Sequence, residues 1–399
     1  MPLCQSMISS FQIKQLATSI GFHEVGITSF SGMEEGERAL QEWVEEGRHG
    51  EMKYLEDFQL RKRRLLQEIP DVKSVIVLGV NYFQKQEARG MGQSEKLMGR
   101  VARYAWGKDY HHVIGKKHER LIEQMQKIVE AGSPRPCSGR GDLAPTFKSC
   151  IDTQPLPERF AAQRAGLGFV GKNTLLLSRK FGPWLFLSEI ITNLELEEDH
   201  PVLADCGSCT HCQSECPTGA LDKDYLIDAR KCIAYLTIEH RGVIEKALRP
   251  AIKDWIFGCD ACLDICPFSS KSKPSDWEEF QAERGAGPFI SLAELMKIKS
   301  NREYENKFKG TPLVRASRKQ MLRNACLVLA NSGREDAVTL LEIALCDPSA
   351  LVRMHAAWAL GQFHHHEKAQ HLLELRLEIE SHPGVKTEIL EVLAPTSNR

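Results

Sequence analysis

Two short runs of cysteine constrain this chain more than any other feature of its sequence. Residues 206–217 are CGSCTHCQSECP and residues 259–267 are CDACLDICP. The first run has the bacterial ferredoxin spacing C-x2-C-x2-C-x3-C-P, in which three thiolates bind one [4Fe-4S] cluster and the fourth binds the other cluster. The second run lacks one cysteine of this spacing, and Cys232 between the runs can supply it. The sequence therefore predicts two [4Fe-4S] clusters.

The crossover of the fourth cysteine predicts which thiols share a cluster. One cluster is expected on Cys206, Cys209, Cys212 and Cys266. The other is expected on Cys216, Cys232, Cys259 and Cys262. A pair of structural zinc sites is the alternative, because C-x2-C pairs also suit tetrahedral zinc. The cysteines without matching spacing are expected to be small buried residues or unpaired thiols: Cys4, Cys137, Cys150, Cys326 and Cys346.

Composition indicates an ordinary folded chain of two or three units. The chain has 399 residues, a formal net charge of -1 and 42% hydrophobic residues, which excludes bulk disorder. The start of the chain, residues 1–11, carries no basic segment followed by an apolar run, and no stretch approaches the roughly 18 apolar residues of a membrane helix. We therefore expect a cytoplasmic protein without membrane association, in which a reducing environment favours metal ligation over disulfides.

Hydrophobic patterns divide the chain into three predicted domains. Residues 1–200 alternate helical patterns, at 11–20 and 111–130, with apolar strands, at 74–82 and 184–192, as expected for an α/β or α+β catalytic domain. Residues 201–275 form the ferredoxin-like cluster module. In residues 276–399, Asn324–Ala330 aligns with His355–Gly361 at an offset of 31 residues, which predicts α-helical HEAT-like repeats. The predicted fold class is α+β, with an N-terminal α/β domain.

Basic residues accumulate at the start of the repeat region. A solvated helix face is one interpretation, and a surface that follows the phosphates of a folded RNA is the other. The candidates for RNA contact are Lys297, Lys299, Arg302, Arg315, Arg318 and Lys319.

Three segments ahead of the cysteine runs suit a functional pocket. They are residues 103–112 (RYAWGKDYHH), 151–159 (IDTQPLPER) and 165–176 (AGLGFVGKNTLL). Asp152 follows an extended stretch and precedes prolines that block a helix, as a catalytic carboxyl at the end of a strand would. Glycines in the third segment allow backbone to approach a large ligand. A helix cap at Asp152, core packing of Tyr104 and a plain glycine turn remain open alternatives.

Together with the cysteine runs, the segment KCIAYLTIE at 231–239 and the repeat tail, these segments resemble the bacterial epoxyqueuosine reductase family, in the same order along nearly the whole chain. The resemblance implies a cobalamin-dependent enzyme that reduces epoxyqueuosine to queuosine at the wobble position of tRNA. It implies that Asp152 is the proton donor, and Thr153-Gln154 after it is a small departure from the family pattern. The implied cobalamin contacts are Tyr104, Asp152, Gly171, Lys172, Asn173, Thr174, Leu176, Ala234 and Tyr235.

The implied reaction consumes two electrons and two protons, for which cob(I)alamin supplied with electrons by two [4Fe-4S] clusters is a natural reductant. No Asp-x-His-x-x-Gly motif supplies a histidine ligand to cobalt, which agrees with base-off cob(II)alamin. An acid role for Asp152 requires surroundings that raise its pKa. The implied partners of a monomeric chain are tRNA with a queuosine-type wobble base and an external low-potential electron donor.

Two other functions fit part of the pattern. A reductive dehalogenase-like reductase of a small molecule would use the same cofactors, but the missing twin-arginine export signal and the repeat tail disfavour it. A non-catalytic electron carrier would use only the clusters, and it would not need the long segment ahead of Cys206.

Overall fold

The structure is a computed structural model that describes residues 8–85, 96–132 and 145–394. Its α-helices are α1 (Ser10–Ile20), α2 (Glu34–Glu45), α3 (Phe58–Glu68), α4 (Tyr110–Gly132), α5 (Glu158–Arg164), α6 (His211–Ser214), α7 (Ile233–Ile238), α8 (Ala261–Asp264), α9 (Leu292–Met296), α10 (Asn301–Phe308), α11 (Arg318–Asn331), α12 (Ala337–Leu345), α13 (Ala350–Gly361), α14 (Glu367–Ile379) and α15 (Pro383–Leu393). Its strands are β1 (Glu24–Ser29), β2 (Ser74–Asn81), β3 (Met98–Val101), β4 (Phe147–Cys150), β5 (Phe169–Val170), β6 (Leu176–Leu177), β7 (Leu185–Thr192), β8 (Trp255–Phe257) and β9 (Phe289–Ser291). In these ranges, every helix is too short or too polar to span a bilayer.

A four-stranded sheet in the order β1-β2-β7-β4 organises the N-terminal part of the chain. Every residue of β2 is buried, as expected for a strand covered by helices on both faces. Ile76 and Leu78 pack in the core that includes α1 and α4, whereas Val75 and Val77 face α3 and α5. The strands predicted at 74–82 and 184–192 and the helices predicted at 11–20 and 111–130 are confirmed.

The direction of the strands corrects the α/β part of the predicted fold class. All neighbouring strands of this sheet are antiparallel, whereas an α/β domain has parallel strands joined by crossover helices. The sequence pattern could not distinguish the two because β1 and β2 are joined by two helices, which bring the chain back to the same end of the sheet. Ser29 at the end of β1 accordingly pairs with Ser74 at the start of β2.

A second sheet connects the three predicted domains. Its central strand β3 is parallel to β8 and antiparallel to β9. One strand comes from each of the three predicted domains, residues 1–200, 201–275 and 276–399. The division into three domains therefore remains a prediction from the sequence. One continuous core extends from Val101 through Ile233 and Trp255 to Leu327 of α11. The cysteine region is therefore packed directly against the helical tail.

The tail has the predicted repeat. Helices α11, α13 and α15 lie side by side, and α12 and α14 pack against them. Asn324–Ala330 lies in α11 and His355–Gly361 occupies the corresponding part of α13, so the predicted offset is confirmed. The arrangement joins each helix mainly to its neighbours, as in other helical arrays.

Candidate functional site

The first predicted set of cysteines surrounds one cavity. A space of about 200 Å³ is lined by Cys206, Cys209, Cys212 and Cys266. Burial, and then the nearby thiols of the other three, raises the pKa of Cys212. The Lys172 N–H is directed at the sulfur of Cys206, at 3.4 Å. Thiols around a shared space with an N–H group aimed at one sulfur form a suitable environment for a [4Fe-4S] cluster.

The second predicted set also comes together. Burial, followed by Cys232, Cys259 and Cys216, raises the pKa of Cys262 well above its usual value. Backbone N–H groups point at two of these sulfurs, from Ala220 to Cys216 at 3.3 Å and from Ala261 to Cys259 at 3.5 Å. In the described part of the chain, no three His, Cys, Asp or Glu side chains are arranged to hold a single metal ion. The shared cavity and the mutual effects on the thiol pKa values place the eight thiols near one another in the two predicted groups of four, and their role as cluster ligands stays a proposal.

The other cysteines are scattered. Cys150 and Cys326 are buried, and Cys346 is exposed. Cys4 and Cys137 lie outside the described residues.

Tyr104 lies between the second thiol set and Asp152. Its ring packs against Phe257, two residues before Cys259, with ring centroids 6.1 Å apart. On the other side it meets Tyr110 edge to face at 6.5 Å. Burial, and then the charge of Asp152, raises the pKa of Tyr104. An aromatic bridge thus connects the environment of the thiols to that of the predicted catalytic carboxyl.

Asp152 lies just after β4, at the end of a strand as the sequence predicts. Its φ of 55° is in the left-handed region, which costs a residue other than glycine about 1–3 kcal/mol. The Tyr110 hydroxyl donates to Asp152 Oδ2 at 2.7 Å, and His111 Nε2 lies 3.6 Å from the same oxygen. The Asp152 N–H donates to Glu158 Oε1 at 2.9 Å. Contacts on both its backbone and its carboxyl hold this strained residue.

The charge state of the Asp152 carboxyl differs from the prediction. The interaction with His111, whose Nε2 lies 3.6 Å away, lowers the pKa of Asp152, assisted by the hydrogen bond from Tyr110 and opposed by burial. A downward shift arises because donors stabilise the carboxylate, an effect that requires the tertiary contact and is invisible in the sequence. His111 also hydrogen-bonds to Asp109 at 2.8 Å, and the interactions with Asp109 and then Asp152 raise the pKa of His111 to about 9.

Glu158 has the opposite shift. Burial, followed by the charge of Asp152, raises the pKa of Glu158 to about 8. At neutral pH the site therefore combines an ionised Asp152, a positively charged His111 and a protonated Glu158.

The rim of the site is contributed by the start of the repeat region. Arg315 is about half exposed and binds Glu239 through two hydrogen bonds, of 2.8 and 3.2 Å. Its guanidinium group lies 5.9 Å from the ring centre of Tyr54. Its positive charge contributes to the low pKa of Asp152, and Arg61 donates to the carbonyl of the next residue, Thr153. Two arginine side chains therefore lie near the Asp152 loop.

The predicted cobalamin contacts of residues 171–176 lie between the thiol cavity and the Asp152 loop. Lys172 and Asn173 line the cavity, and Asn173 Nδ2 is buried without a hydrogen-bond partner among the described residues. The Thr174 carbonyl accepts a hydrogen bond of 2.6 Å from Arg159. At Gly171 a Cβ would stand 2.5 Å from a Leu177 methyl group, so any larger residue would require Leu177 to shift. Leu176 is buried in β6.

The two predicted contacts in α7 have other partners. The N–H groups of Ala234 and Tyr235 are directed at Cys232 and lower the pKa of its thiol, although burial raises it more strongly. The Tyr235 hydroxyl accepts the Glu51 N–H at 2.7 Å. These groups therefore support the second thiol set in this structure.

The predicted RNA-contacting residues separate into two kinds. Lys297, Lys299, Arg302 and Lys319 are exposed, and Arg315 lies at the pocket rim. The predicted RNA contact of Arg318 is corrected by the structure. Its side chain is buried, with Nη2 2.5 Å from Asp347 Oδ2 and Nε 2.8 Å from the Ile298 carbonyl. It cannot reach a phosphate, because it faces the core from the first turn of α11.

Several site residues were not singled out from the sequence. Tyr110 and His111 fall inside a segment expected at a pocket rim, and Glu158 follows the Asp152 loop, so proximity was a usable signal. Glu189 had a clearer signal in the sequence, because it is an acidic residue within the apolar strand β7. In the structure it is fully buried.

Comparison with known families matches three parts of the chain. Residues 63–138 match the family described as Epoxyqueuosine reductase QueG, DUF1730. Residues 205–269 match a 4Fe-4S double cluster binding domain, and residues 312–394 match HEAT repeats.

Similar proteins extend over most of the chain. An epoxyqueuosine reductase of Xanthomonas campestris pv. campestris is 35% identical, covering 88% of this chain and 95% of the relative. One from Pseudomonas aeruginosa is 36% identical, with 87% and 92% covered. A crystal structure of epoxyqueuosine reductase with an epoxyqueuosine-modified tRNA-Tyr stem loop has a TM-score of 0.82 at 29% identity, covering 96% of this chain and 97% of that one. The Bacillus subtilis enzyme with its catalytic aspartate loop swung out of the active site has a TM-score of 0.80 at 29% identity, covering 96% and 98%.

Proposed function

The chain belongs to the epoxyqueuosine reductase family, and we propose that it works at the Asp152 site with cobalamin and two [4Fe-4S] clusters. It is an oxidoreductase that reduces epoxyqueuosine to queuosine. The substrate base is proposed to be at the wobble position of tRNA. We place the reaction in the cytoplasm, because tRNA is the substrate and unpaired thiols persist in a reducing compartment. The contacts of Asp152 with Tyr110 and His111 are the observation that carries the proposal.

The side chains present fit the proposed cofactors. Two groups of four thiols match the ligand count of two cubane clusters, and the backbone N–H groups aimed at Cys206, Cys216 and Cys259 would tune them. The unpartnered amide of Asn173, beside the tight Gly171 turn, offers a donor to a large polar ligand such as cobalamin. When bound, cobalamin supplies a strong reductant and the clusters supply one-electron transfer.

Depth determines the proposed order of the two thiol sets. The first set surrounds a cavity at the surface, where an external low-potential donor could approach. The second set is close to Tyr82, which is buried, and reaches Asp152 through Tyr104. We therefore place electron entry at the set containing Cys206 and delivery at the set containing Cys262.

His111 and Asp152 are proposed to move the first proton. His111 carries a proton at neutral pH and lies 3.6 Å from the Asp152 carboxylate. Covering the pocket with the substrate base would remove water from Asp152, and desolvation raises the pKa of a carboxyl. Asp152 would then accept the proton of His111 and pass it to the epoxide oxygen. Tyr110 keeps the acceptor oxygen in place.

The repeat region is proposed to hold the anticodon stem loop. Arg315 stands at the pocket rim, and the exposed basic residues Lys297, Lys299, Arg302 and Lys319 precede or begin α11. Positive charge on such a surface would contact RNA phosphates without reading the sequence.

The test uses the full chain, reconstituted without oxygen with iron, sulfide and cobalamin, and a stem loop that contains epoxyqueuosine. A chemical reductant with a redox dye replaces the unidentified electron donor. We expect mass spectrometry of the digested RNA to show queuosine, and to show none with chain that lacks cobalamin. Queuosine formation at equal rate without cobalamin would refute the proposed cofactor, and no formation by the complete enzyme would refute the function.

A further inference from the structure

Glu189 is a buried carboxyl that the first proton transfer does not use. It lies within β7, is fully buried, and neither of its side-chain oxygens has a hydrogen-bond partner among the described residues. A carboxylate without partners is strongly disfavoured in such a place, so the group is held as a neutral acid. Burial, and then the charges of Glu158 and Asp152, raises its pKa well above the usual value. The sheet therefore stores a proton at this position.

The strand register brings this proton close to the Asp152 loop. Glu189 in β7 is paired with Cys150 in β4, and Asp152 follows two residues later. Glu158 adjoins the same loop, because its Oε1 accepts the Asp152 N–H at 2.9 Å. The charges of Glu158 and Asp152 act on Glu189, and the charge of Asp152 acts on Glu158, so the carboxyl groups are electrostatically linked.

We propose that Glu158 and Glu189 form a proton reserve that reloads Asp152 for the second proton transfer. This inference rests on the proposed function. Converting the epoxide to an alkene breaks two C–O bonds, takes up two electrons from the enzyme's own electron chain and two protons, and releases the oxygen as water. The first proton comes from His111 through Asp152 and converts the epoxide oxygen to a hydroxyl group.

The second proton must reach that hydroxyl group so that it can leave as water. The O–H bond of Glu158 breaks and an O–H bond forms on Asp152, which then gives its proton to the departing oxygen. A proton then passes from Glu189 to Glu158 when a side-chain rotation or an entering water joins the two carboxyls. Solvent reaches the partly exposed Glu158 and His111, restores the proton of each, and through Glu158 restores Glu189. Each cycle thus takes two protons from solvent, and Asp152 touches the substrate in both transfers. Glu158 and Glu189 act through Asp152 and are positioning and supply residues.

The charged and titratable groups around the reserve come from four elements. Those that act on Glu158, Glu189 or their neighbour Cys150 are Asp152, His111, Tyr110, Arg159, Lys148 and Glu68. The positive charges of Arg159 and His111 favour ionisation of Glu158, but burial outweighs them and its pKa rises to about 8. Glu158 and Glu189 are therefore both protonated at neutral pH, and Glu158 loses its proton as the pH rises past about 8.

Amide variants separate proton supply from positioning. Glu158→Gln can still accept the Asp152 N–H but cannot hold the proton, whereas Glu158→Ala loses both abilities. Glu189→Gln is neutral and of nearly equal size, so it keeps the packing of β7 while removing the stored proton. Ser188→Ala is the matched control, because Ser188 is the adjacent buried residue of the same strand and contacts His118 on the opposite face.

The measurement is turnover of the modified stem loop by the complete enzyme at pH values on either side of the raised pKa of Glu158, which is about 8. We expect Glu158→Gln and Glu189→Gln to keep KM and lose kcat on the order of tenfold, less than the 10²-fold or more typical of the donor itself. The loss should grow with pH, because solvent protons can replace the reserve at low pH. Ser188→Ala should follow the wild-type pH profile. Wild-type profiles for both amide variants would overturn the proposal.

A second measurement does not depend on turnover. At neutral pH the infrared spectrum of Glu189→Gln should lack one protonated-carboxyl component that the wild-type chain has, while the component from Glu158 remains, and Ser188→Ala should keep both. Absence of the Glu189 component at neutral pH would also overturn the reserve. If the wild-type enzyme formed no queuosine, the proposed function would fail instead, and the infrared band would still decide whether Glu189 holds a proton.

Discussion

Arg315 and Glu239 form a two-point ion pair, with Nε 2.8 Å from Oε1 and Nη2 3.2 Å from Oε2, at the edge of the Asp152 pocket. Glu239 caps the end of α7, and Cys232, a predicted cluster ligand, caps its start. Arg315 lies just ahead of the repeat helices, so the pair connects α7 with the start of the repeat region. It is about half exposed on the arginine side, so it holds the guanidinium in place without hiding it from a phosphate. This ion pair is therefore one of the contacts that join the repeat region to the reaction site.

The variant Arg315→Ala should weaken the binding of the stem loop. If Arg315 contacts one phosphate, its loss should reduce the slope of log affinity against log salt by about 0.7 to 0.9. Binding measured by fluorescence anisotropy over a series of salt concentrations checks this. Arg315→Lys is the matched control, because it keeps the charge and should keep most of the slope while losing the two-point contact with Glu239. An unchanged slope in Arg315→Ala would remove this residue from the RNA surface.

Loss of Arg318 should affect the stability of the chain, whereas loss of its neighbour Lys319 should affect RNA binding. Arg318→Ala leaves Asp347 buried and unpaired, which should lower the free energy of unfolding by about 3–5 kcal/mol. Lys319→Ala changes an exposed side chain and should leave stability nearly unchanged but weaken binding to RNA. Chemical denaturation and salt-dependent binding of both variants distinguish the roles. A stable Arg318→Ala protein with reduced RNA affinity would restore the original prediction for Arg318.

The sequence could predict features that depend on spacing or on local pattern. The grouping of the thiols followed from the ferredoxin spacing, the position of Asp152 from an extended stretch ended by prolines, and the repeat from the match between α11 and α13. It could not predict which face of α11 is buried, because Arg318 and Lys319 look alike as sequence. Nor could it predict the low pKa of Asp152, which results from a contact with His111 in another element.

Paired cysteine variants should test the crossover between the two runs. If Cys212 and Cys266 serve the same cluster, the double variant Cys212→Ser with Cys266→Ser should lose half of the iron and keep the other cluster. The double variant Cys212→Ser with Cys262→Ser should lose both clusters, since it damages each set. Iron and sulfide content and the EPR spectra of reduced protein check this. Loss of both clusters in the first double variant would favour a sequential arrangement.

The variant Asp152→Asn should retain the fold and the thiol sets but lose most of the activity. Asparagine keeps an oxygen that can accept from Tyr110 and tolerates the left-handed φ of 55°, so the loop should remain in place. It cannot carry a proton to the epoxide, and kcat should fall by about 10² or more. Turnover of the modified stem loop, with iron content as a control for intact clusters, checks this. Activity within a few-fold of wild type would exclude Asp152 as the donor.

His118 should make the stability of the sheet sensitive to acid. It is fully buried between the hydroxyl groups of Ser149, at 2.7 Å from Nδ1, and Ser188, at 3.0 Å from Nε2. Burial lowers its pKa from 6.5 to about 3, so the folded chain keeps it neutral while the unfolded chain binds a proton below pH 6.5. Stability from this group is therefore complete above pH 6.5 and declines between that value and about 3 as the pH falls.

The slope in that window should approach about 1.4 kcal/mol per pH unit, the value for one proton. Glu158 acts in the opposite direction, because its raised pKa makes folding more favourable as the pH falls from about 8 toward 4.5. The difference between wild type and His118→Gln isolates the histidine, since glutamine can hydrogen-bond to both serines but does not titrate. Denaturant unfolding at several pH values should therefore show a steeper loss toward acid in the wild type, and parallel curves would mean that His118 is charged or solvated in the folded chain.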